Sequence, residues 1–120
     1  MKSFDIAIIG GGPGGYVAAI HAAHLGANVA LIEKDKLGGT CLNWGCIPTK
    51  IMHKSAELMT EAQKAGNFGI ELDNIRINLP KLMLYKRETV NKILLNIENL
   101  IQLNKIIYTE AQDILFQQIG

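Results

Sequence analysis

The sequence predicts an α/β fold with a parallel sheet, and three features of its first third support this prediction. Two nearly continuous apolar runs, residues 4–9 (FDIAII) and 28–32 (NVALI), are typical of strands that a parallel sheet buries on both faces. A small-residue run between them, 16–26 (YVAAIHAAHLG), suits a helix that stops at Gly26. A strand, a helix and a second strand in this order form a βαβ unit.

The turn after the first strand has the spacing of a dinucleotide-binding fingerprint. Gly10 permits the tight turn, Gly12 lets the backbone approach a pyrophosphate, and Gly15 lets the helix pack closely against the strand. The helix N-terminus presents free N–H groups to the phosphates. Glu33 ends the second strand about 20 residues beyond the glycines, where an acid can hydrogen-bond a ribose hydroxyl. The pattern therefore predicts a Rossmann-like βαβ unit.

The two cysteines of the chain lie close together in residues 38–50 (GGTCLNWGCIPTK). In an unbroken α-helix, a rise of about 1.5 Å per residue would separate the Cα atoms of Cys41 and Cys46 by more than the roughly 7 Å that a disulfide spans. A disulfide here therefore requires a bent turn. Gly45 can supply the unusual backbone angles that such a turn needs.

The second cysteine is predicted to lie at a helix N-terminus. Pro48 lacks a backbone N–H and is tolerated only in the first turn of a helix, so regular helix is expected to start near Ile47. The positive end of this helix and the charge of Lys50 then stabilise a thiolate at Cys46. An inert buried pair and half of a metal site are the alternatives, and a metal site would need ligands beyond the 2 cysteines of the chain. The pattern favours redox chemistry.

The rest of the chain predicts two longer helices, an extended loop and short strands. Gly66 is expected to stop the first helix, and Pro80 lies near the start of the second. An apolar stripe between Val90 and Ile101 indicates that one face of the second helix packs on the core. The helices are predicted at residues 47–65 and 80–104, the loop, which could hold short pieces of strand, at 67–79, and the strands at 105–108 and 114–116.

The position of the cysteines favours FAD as the cofactor. The dithiol follows Glu33 after a short loop, which suits a cofactor whose reactive ring lies against the cysteines. An isoalloxazine ring can exchange electrons with a thiolate.

These motifs resemble a known family. Residues 8–50 are similar to the amino-terminal FAD-binding segment of the pyridine nucleotide-disulfide oxidoreductases, which include lipoamide dehydrogenase, glutathione reductase and mercuric reductase. Residues 42–50 are most similar to the dihydrolipoamide dehydrogenase branch. The resemblance is specific over residues 4–54 and looser over residues 55–111.

The resemblance implies roles for individual residues. Cys46 would be the thiol next to the flavin that forms the charge-transfer thiolate, and Cys41 the interchange thiol that attacks or releases the dithiol substrate. Lys50 would lie near the flavin ring and tune it electrostatically. Ala111 would make a backbone contact to the adenine, and Trp44 is expected to pack. The implied cofactor-binding residues are Gly10, Gly12, Pro13, Gly14, Gly15, Glu33, Lys34, Gly39, Thr40, Cys41, Gly45, Cys46, Lys50 and Ala111.

A reaction and partners are implied as well. The parent enzyme would oxidise dihydrolipoamide to lipoamide with NAD, through a Cys41–Cys46 redox disulfide and FAD. Its partners would be the lipoyl domain of a 2-oxo acid dehydrogenase complex and, in the full-length enzyme, a second copy of the chain. Two alternatives stay open: a sibling reductase of the glutathione or mercuric reductase type, and a non-catalytic truncated flavin-binding fragment.

The length indicates part of such an enzyme. A chain of 120 residues with net charge +1 suits one domain, and 48% hydrophobic residues argue against disorder. No second glycine fingerprint follows Gly69. Residues 1–120 are therefore expected to be a partial FAD-binding domain, an incomplete three-layer structure without NAD-binding and dimer-interface domains that cannot complete turnover alone. In the family domain a small antiparallel layer begins near residue 105, and cutting it short should leave a sheet edge unpaired and the long helix partly uncovered, which favours self-association.

Composition argues against several other classes. Balanced charge without basic clusters gives no nucleic-acid footprint, and no run approaches the roughly 20 apolar residues of a membrane span. The first apolar run is too short for a secretory signal. His21 and His24 lack further ligands, so no metal site is expected. Cysteines that alternate between thiol and disulfide suit a reducing compartment. A cytoplasmic location is therefore expected, with the mitochondrial matrix or a plastid after processing as the alternative.

Overall fold

A computed structural model of the chain describes residues 3–111. The described residues form three strands and four α-helices, with a short 3₁₀ helix at Ala65–Phe68. In chain order the elements are β1 (Ile6–Ile9), α1 (Pro13–His24), β2 (Val29–Glu33), α2 (Gly39–Asn43), α3 (Cys46–Lys64), α4 (Leu79–Leu103) and β3 (Ile107–Glu110).

The three strands form one parallel sheet in the order β1-β2-β3. Ile6 pairs with Val29, and Ala30 pairs with Ile107. The crossover through α1 joins β1 to β2, and the longer crossover through α2, α3 and α4 joins β2 to β3. The predicted α/β class with a parallel sheet is confirmed. Because the strands are parallel, their carboxyl ends lie at the same end of the sheet, where the glycine turn and Glu33 are also found.

The third strand differs from its prediction in position and direction. It was predicted at residues 105–108, at the start of an antiparallel layer, but it covers Ile107–Glu110 and runs parallel to β2. Lys105 has a left-handed φ of 56° in the turn after α4, and its N–H donates to Gln102 O at 3.0 Å. That turn delays the strand, and the helical crossover returns the chain to the sheet in the same direction. The strand predicted at residues 114–116 lies outside the described residues.

The two long helices are confirmed to within two residues. Asn78 caps α4 by accepting the N–H of Lys81 on its side chain at 3.0 Å. Gly66 was predicted to stop the helix. The α3 helix ends at Lys64, but a 3₁₀ helix continues through Gly66 to Phe68 and is followed by Gly69, which has a φ of 74°. The described loop at 69–78 contains no strand, so the predicted strand pieces there are wrong; none of these residues pairs with the sheet.

The core lies where α1 and α4 cover β2. The core also includes two leucines next to the cysteines, Leu37 before α2 and Leu42 within α2. They are 7% and 4% exposed, and the sequence pattern did not indicate their burial. Leu100 belongs to the predicted stripe on α4 but is 44% exposed. The buried core residues are Ala19, Val29, Leu31, Leu37, Leu42, Ile97, Ile101 and Ile106.

Apolar surface remains open at the sheet edge and on α4. Among the described strands, β1 pairs only with β2, and its Ile9 is 87% exposed. Leu95 and Leu103 of α4 are exposed as well. The long helix is partly uncovered, as expected. The unpaired edge was expected from an antiparallel layer that begins near residue 105, whereas the sheet of the described residues is entirely parallel. No helix within residues 3–111 combines the length and the apolarity needed to cross a membrane.

Candidate functional site

The glycine turn joins β1 to α1 and leaves backbone exposed. Gly10 has a φ of 106°, which favours glycine. A Cβ at Gly15 would overlap the carbonyl oxygen of Gly10 and lie 2.8 Å from its carbonyl carbon, so the helix can approach the turn only without a side chain there. A Cβ at Gly14 would meet nothing within 4 Å. No side chain caps α1 and Pro13 occupies its first turn, so the N–H groups at this end are open to an anion.

Glu33 is bound to the glycine turn. Its Oε2 accepts the N–H of Gly11 at 2.6 Å, and its Oε1 accepts the N–H of Asp35 at 2.9 Å. Burial raises the pKa of Glu33, but the N–H groups of Gly11, Asp35 and Lys34 and the charge of Lys34 lower it more, so the net pKa is below the ordinary 4.5. A carboxylate offers about four acceptor positions, so these bonds leave capacity for a ribose hydroxyl.

We expect Glu33→Gln to lower the free energy of unfolding at pH 7 by about 1–3 kcal/mol, because hydrogen bonds to a charged acceptor are lost. A lowered folded-state pKa stabilises the fold fully above the unfolded value of 4.5, and this contribution disappears as the pH falls through the lowered value. The stability difference between wild type and variant should therefore narrow as the pH falls below 4.5 and through the lowered folded-state pKa of Glu33. Urea unfolding followed by circular dichroism at several pH values measures it.

Glu57→Gln is the matched control for this experiment. The pKa of Glu57 is also lowered, first by its hydrogen bond with Lys54, but this pair is exposed on α3. Surface ion pairs contribute little, so the control should change stability less than Glu33→Gln. A Glu33→Gln chain whose stability matches wild type at both ends of the pH range would contradict the expectation.

The two cysteines lie on either side of a tight bend between α2 and α3. Cys41 is in α2 and half-buried, whereas Cys46 is the first residue of α3 and exposed. A Cβ at Gly45 would stand 3.0 Å from Thr40 O, so the bend is closed to larger residues. The predicted bent turn and the position of Cys46 at a helix N-terminus are confirmed. Both cysteines are free thiols here.

The two cysteines lie close enough for Cys46 to influence the ionisation of Cys41. A hydrogen bond with the Cys46 thiol is the largest cause that raises the pKa of Cys41, and burial and the charge of Cys46 raise it further. The backbone N–H of Cys46 and the charge of Lys50 lower it by less. Tyr16 lies nearby on α1; burial raises its pKa first, and the charge of Cys41 raises it further.

Contacts that the residue pattern does not indicate hold α2 in place. The Asn43 side-chain amide donates to the carbonyl oxygens of Leu37 and Gly39 at 3.0 and 2.9 Å. Gly38 has a φ of 91°, and a Cβ there would lie 2.7 Å from side-chain atoms of Leu42 and Leu94. The pair Gly38–Gly39 was a visible signal for a special backbone conformation, but the contact with Leu94 joins segments far apart in sequence.

The remaining predicted residues lie near the carboxyl ends of the strands. Thr40 is exposed in the first turn of α2, and Lys34 is exposed just after β2. Ala111 follows Glu110, which pairs with Glu33 in the sheet register, so it lies on the side where the ribose-binding acid was expected.

Trp44 differs from its expected packing role. Its side chain is 55% exposed, and the Lys36 ammonium lies 5.7 Å from the centre of its ring. The indole is therefore a surface group beside the dithiol and not part of the core.

A cavity of about 600 Å³ between α3 and α4 is lined by Lys50 but by neither cysteine and by no residue of the glycine turn. Within residues 3–111, no three His, Cys, Asp or Glu side chains are grouped closely enough to hold a metal ion.

Known proteins match this chain over almost all of its length. A family model described as pyridine nucleotide-disulphide oxidoreductase matches residues 4–118. The dihydrolipoyl dehydrogenase of Bacillus subtilis (strain 168) is 46% identical over 107 residues, which cover 88% of this chain and 23% of that relative. The dihydrolipoyl dehydrogenases of Zymomonas mobilis and Chlamydia trachomatis are 46% and 48% identical, covering 86% and 88% of this chain and 22% and 23% of those relatives. The chain thus spans less than a quarter of the length of these relatives.

Proposed function

The chain belongs to the pyridine nucleotide-disulphide oxidoreductase family, and from that premise we propose that it binds FAD on the Gly10–Gly15 turn and carries the redox dithiol of a dihydrolipoyl dehydrogenase. One observation carries the proposal: Cys41 and Cys46 flank a closed bend at the N-terminus of α3, and α2, which carries Cys41, begins at Gly39 against that turn. The names and identities of the relatives support the choice of lipoyl substrate.

The backbone around the glycine turn fits a dinucleotide. The uncapped N-terminus of α1 offers N–H groups to a pyrophosphate, and the space beside Gly14 is open. A Cβ at Gly12 would have only the Gly39 Cα for a neighbour, at 3.9 Å, so a phosphate can approach the backbone. Glu33 would hold the ribose and Ala111 the adenine, while Thr40 and Lys50 would lie toward the flavin. When bound, FAD accepts the electron pair that the dithiol collects.

The dithiol would react by thiol–disulfide exchange. In the oxidised chain, a thiolate of dihydrolipoamide attacks the Cys41 sulfur, and the electron pair of the broken S–S bond leaves on Cys46 as a thiolate. The second substrate thiolate then attacks the substrate sulfur of the mixed disulfide, which releases lipoamide and leaves the electron pair on Cys41. One substrate dithiol is oxidised and one protein disulfide is reduced, so electrons balance.

The fold supports different roles for the two sulfurs. Cys46 begins α3, where the positive end of the helix dipole stabilises a leaving thiolate, and Lys50 adds a positive charge one turn away. The neighbouring Cys46 and burial raise the pKa of Cys41, which favours the protonated form of that thiol when the pair is reduced. These roles agree with Cys46 as the flavin-side thiol and Cys41 as the substrate-side thiol.

We expect FAD to protect Cys46 from alkylation at least about tenfold more than Cys41, because the ring would cover the first residue of α3, whose free form is the more exposed of the two. The reduced chain is treated with iodoacetamide with and without FAD, and each site is quantified by peptide mass spectrometry. Riboflavin, which lacks the pyrophosphate, is the control and should protect neither site at the same concentration. Equal protection of both cysteines, or none, would contradict the proposal.

Other features of the parent enzyme belong to this proposal too. We propose NAD as the final electron acceptor, a lipoyl domain of a 2-oxo acid dehydrogenase complex as partner and a homodimer because the chain resembles the dihydrolipoyl dehydrogenases. The proposed cytoplasmic location rests on the reducing compartment that cysteines alternating between thiol and disulfide require.

A further inference from the structure

Two backbone contacts join Gly38 and Gly39 to the glycine turn, and Glu33 at the end of β2 binds the same turn. The Gly38 N–H donates to Gly11 O at 2.7 Å, and the Glu33 carboxylate accepts the Gly11 N–H at 2.6 Å. A Cβ at Gly39 would stand 2.9 Å from the Cα of Gly12, so the two backbones touch. Gly39 also has a left-handed φ of 57°. No other residue type could occupy this position without separating the two segments.

The same loop leads directly to the dithiol. α2 begins at Gly39, and Cys41 is its third residue. Leu42 anchors α2 in the core at 4% exposure, and Asn43 donates to the carbonyl oxygens of Leu37 and Gly39. A displacement of Gly39 is therefore transmitted to Cys41 through packed, hydrogen-bonded atoms.

We propose that Gly39 is a positioning residue that couples the glycine turn to the dithiol, so that a pyrophosphate-bearing ligand on the turn and the covalent state of Cys41 and Cys46 alter each other's equilibrium. The inference rests on the proposed FAD site and adds a regulation of that site. By linkage, the factor by which disulfide formation changes ligand affinity is also the factor by which the ligand changes disulfide formation.

ADP is the probe, because it carries the pyrophosphate and lacks the flavin that would touch the sulfurs. Its affinity is measured by calorimetry for the reduced wild-type chain and for the chain oxidised with glutathione disulfide. Oxidation joins the two sulfurs and releases two glutathione thiols. We expect the two affinities to differ at least about fivefold. Saturating ADP should shift the glutathione equilibrium of the dithiol by the same factor.

Two variants test the assignment to Gly39. Gly39→Ala should bring the affinity ratio close to one. Gly26→Ala is the matched control, because Gly26 also has a left-handed φ, of 91°, but a Cβ there would meet nothing within 4 Å. It should keep the wild-type ratio. Asn43→Ala removes both side-chain hydrogen bonds that fix α2, so it should lower the ratio of the two ADP affinities without a steric clash. This variant replaces Gly39→Ala in the test if circular dichroism shows that Gly39→Ala is unfolded.

The outcomes separate this inference from the proposed function. If ADP binds neither state of the wild-type chain, the FAD site and the coupling are both overturned. If ADP binds both states equally, only the coupling is overturned. If a folded Gly39→Ala chain keeps the wild-type ratio, or if Gly39→Ala is unfolded and Asn43→Ala keeps it, the assignment of the coupling to Gly39 is wrong.

Discussion

Gly15→Ala is expected to lower the free energy of unfolding by about 3 kcal/mol or more, at the upper end of the cost of overpacking. The added Cβ would overlap the carbonyl oxygen of Gly10 and lie 2.8 Å from its carbonyl carbon. Both atoms are backbone, so no side-chain rotation can relieve the contact. Either β1 or α1 must move, and each packs against β2 and the core. Urea unfolding followed by circular dichroism measures the loss.

Gly14→Ala is the matched control in the same helical turn. A Cβ at Gly14 would meet nothing within 4 Å, and alanine is favoured over glycine in a helix by about 1 kcal/mol. This variant should therefore be as stable as wild type or more stable. If both variants unfold at the same urea concentration, the close approach of α1 to the turn does not hold the fold together.

Replacing either cysteine by serine is expected to abolish electron uptake from dihydrolipoamide. A single thiol cannot form the intramolecular disulfide that the substrate reduces, so the reaction has no electron acceptor within the chain. The wild-type chain is oxidised and freed of oxidant. It is then mixed with dihydrolipoamide under anaerobic conditions, and protein thiols are counted after removal of the substrate. The wild-type chain should gain two thiols, and neither variant should gain any.

Trp44→Phe is the control for the serine variants. It changes the bend between the sulfurs without removing one, and its ring is outside the core, so it should gain thiols like the wild-type chain. An oxidised wild-type chain that ignores dihydrolipoamide would contradict the proposed substrate.

The parts of the fold set by local backbone demands could be predicted from sequence. The glycine turn is one example, because Gly10 and Gly15 each answer a steric requirement within six residues of chain. The placement of Cys46 at a helix start is another, because Pro48 restricts where that helix can begin. Both features depend on neighbours in sequence, so the residue pattern alone indicates them.

The parts that depend on distant contacts could not be predicted in this way. α2 has five residues and is held by the burial of Leu42 and by the side chain of Asn43, neither of which helical periodicity shows. Gly38 must lack a side chain because Leu94 of α4 packs against it. The direction of β3 depends on how the crossover returns to β2, which the composition of the strand does not encode. These contacts arise only after the chain has folded.

The surface position of Trp44 makes it an intrinsic fluorescence probe of the dithiol. It is the single tryptophan of the protein, so all indole emission originates from the short bend that separates the two sulfurs. The Lys36 ammonium lies near the ring, and the ring is largely exposed to water. The intensity of its emission should therefore change when a disulfide forms across the bend or when a light-absorbing ligand binds beside it. Events at the dithiol can thus be followed in real time without attaching a dye.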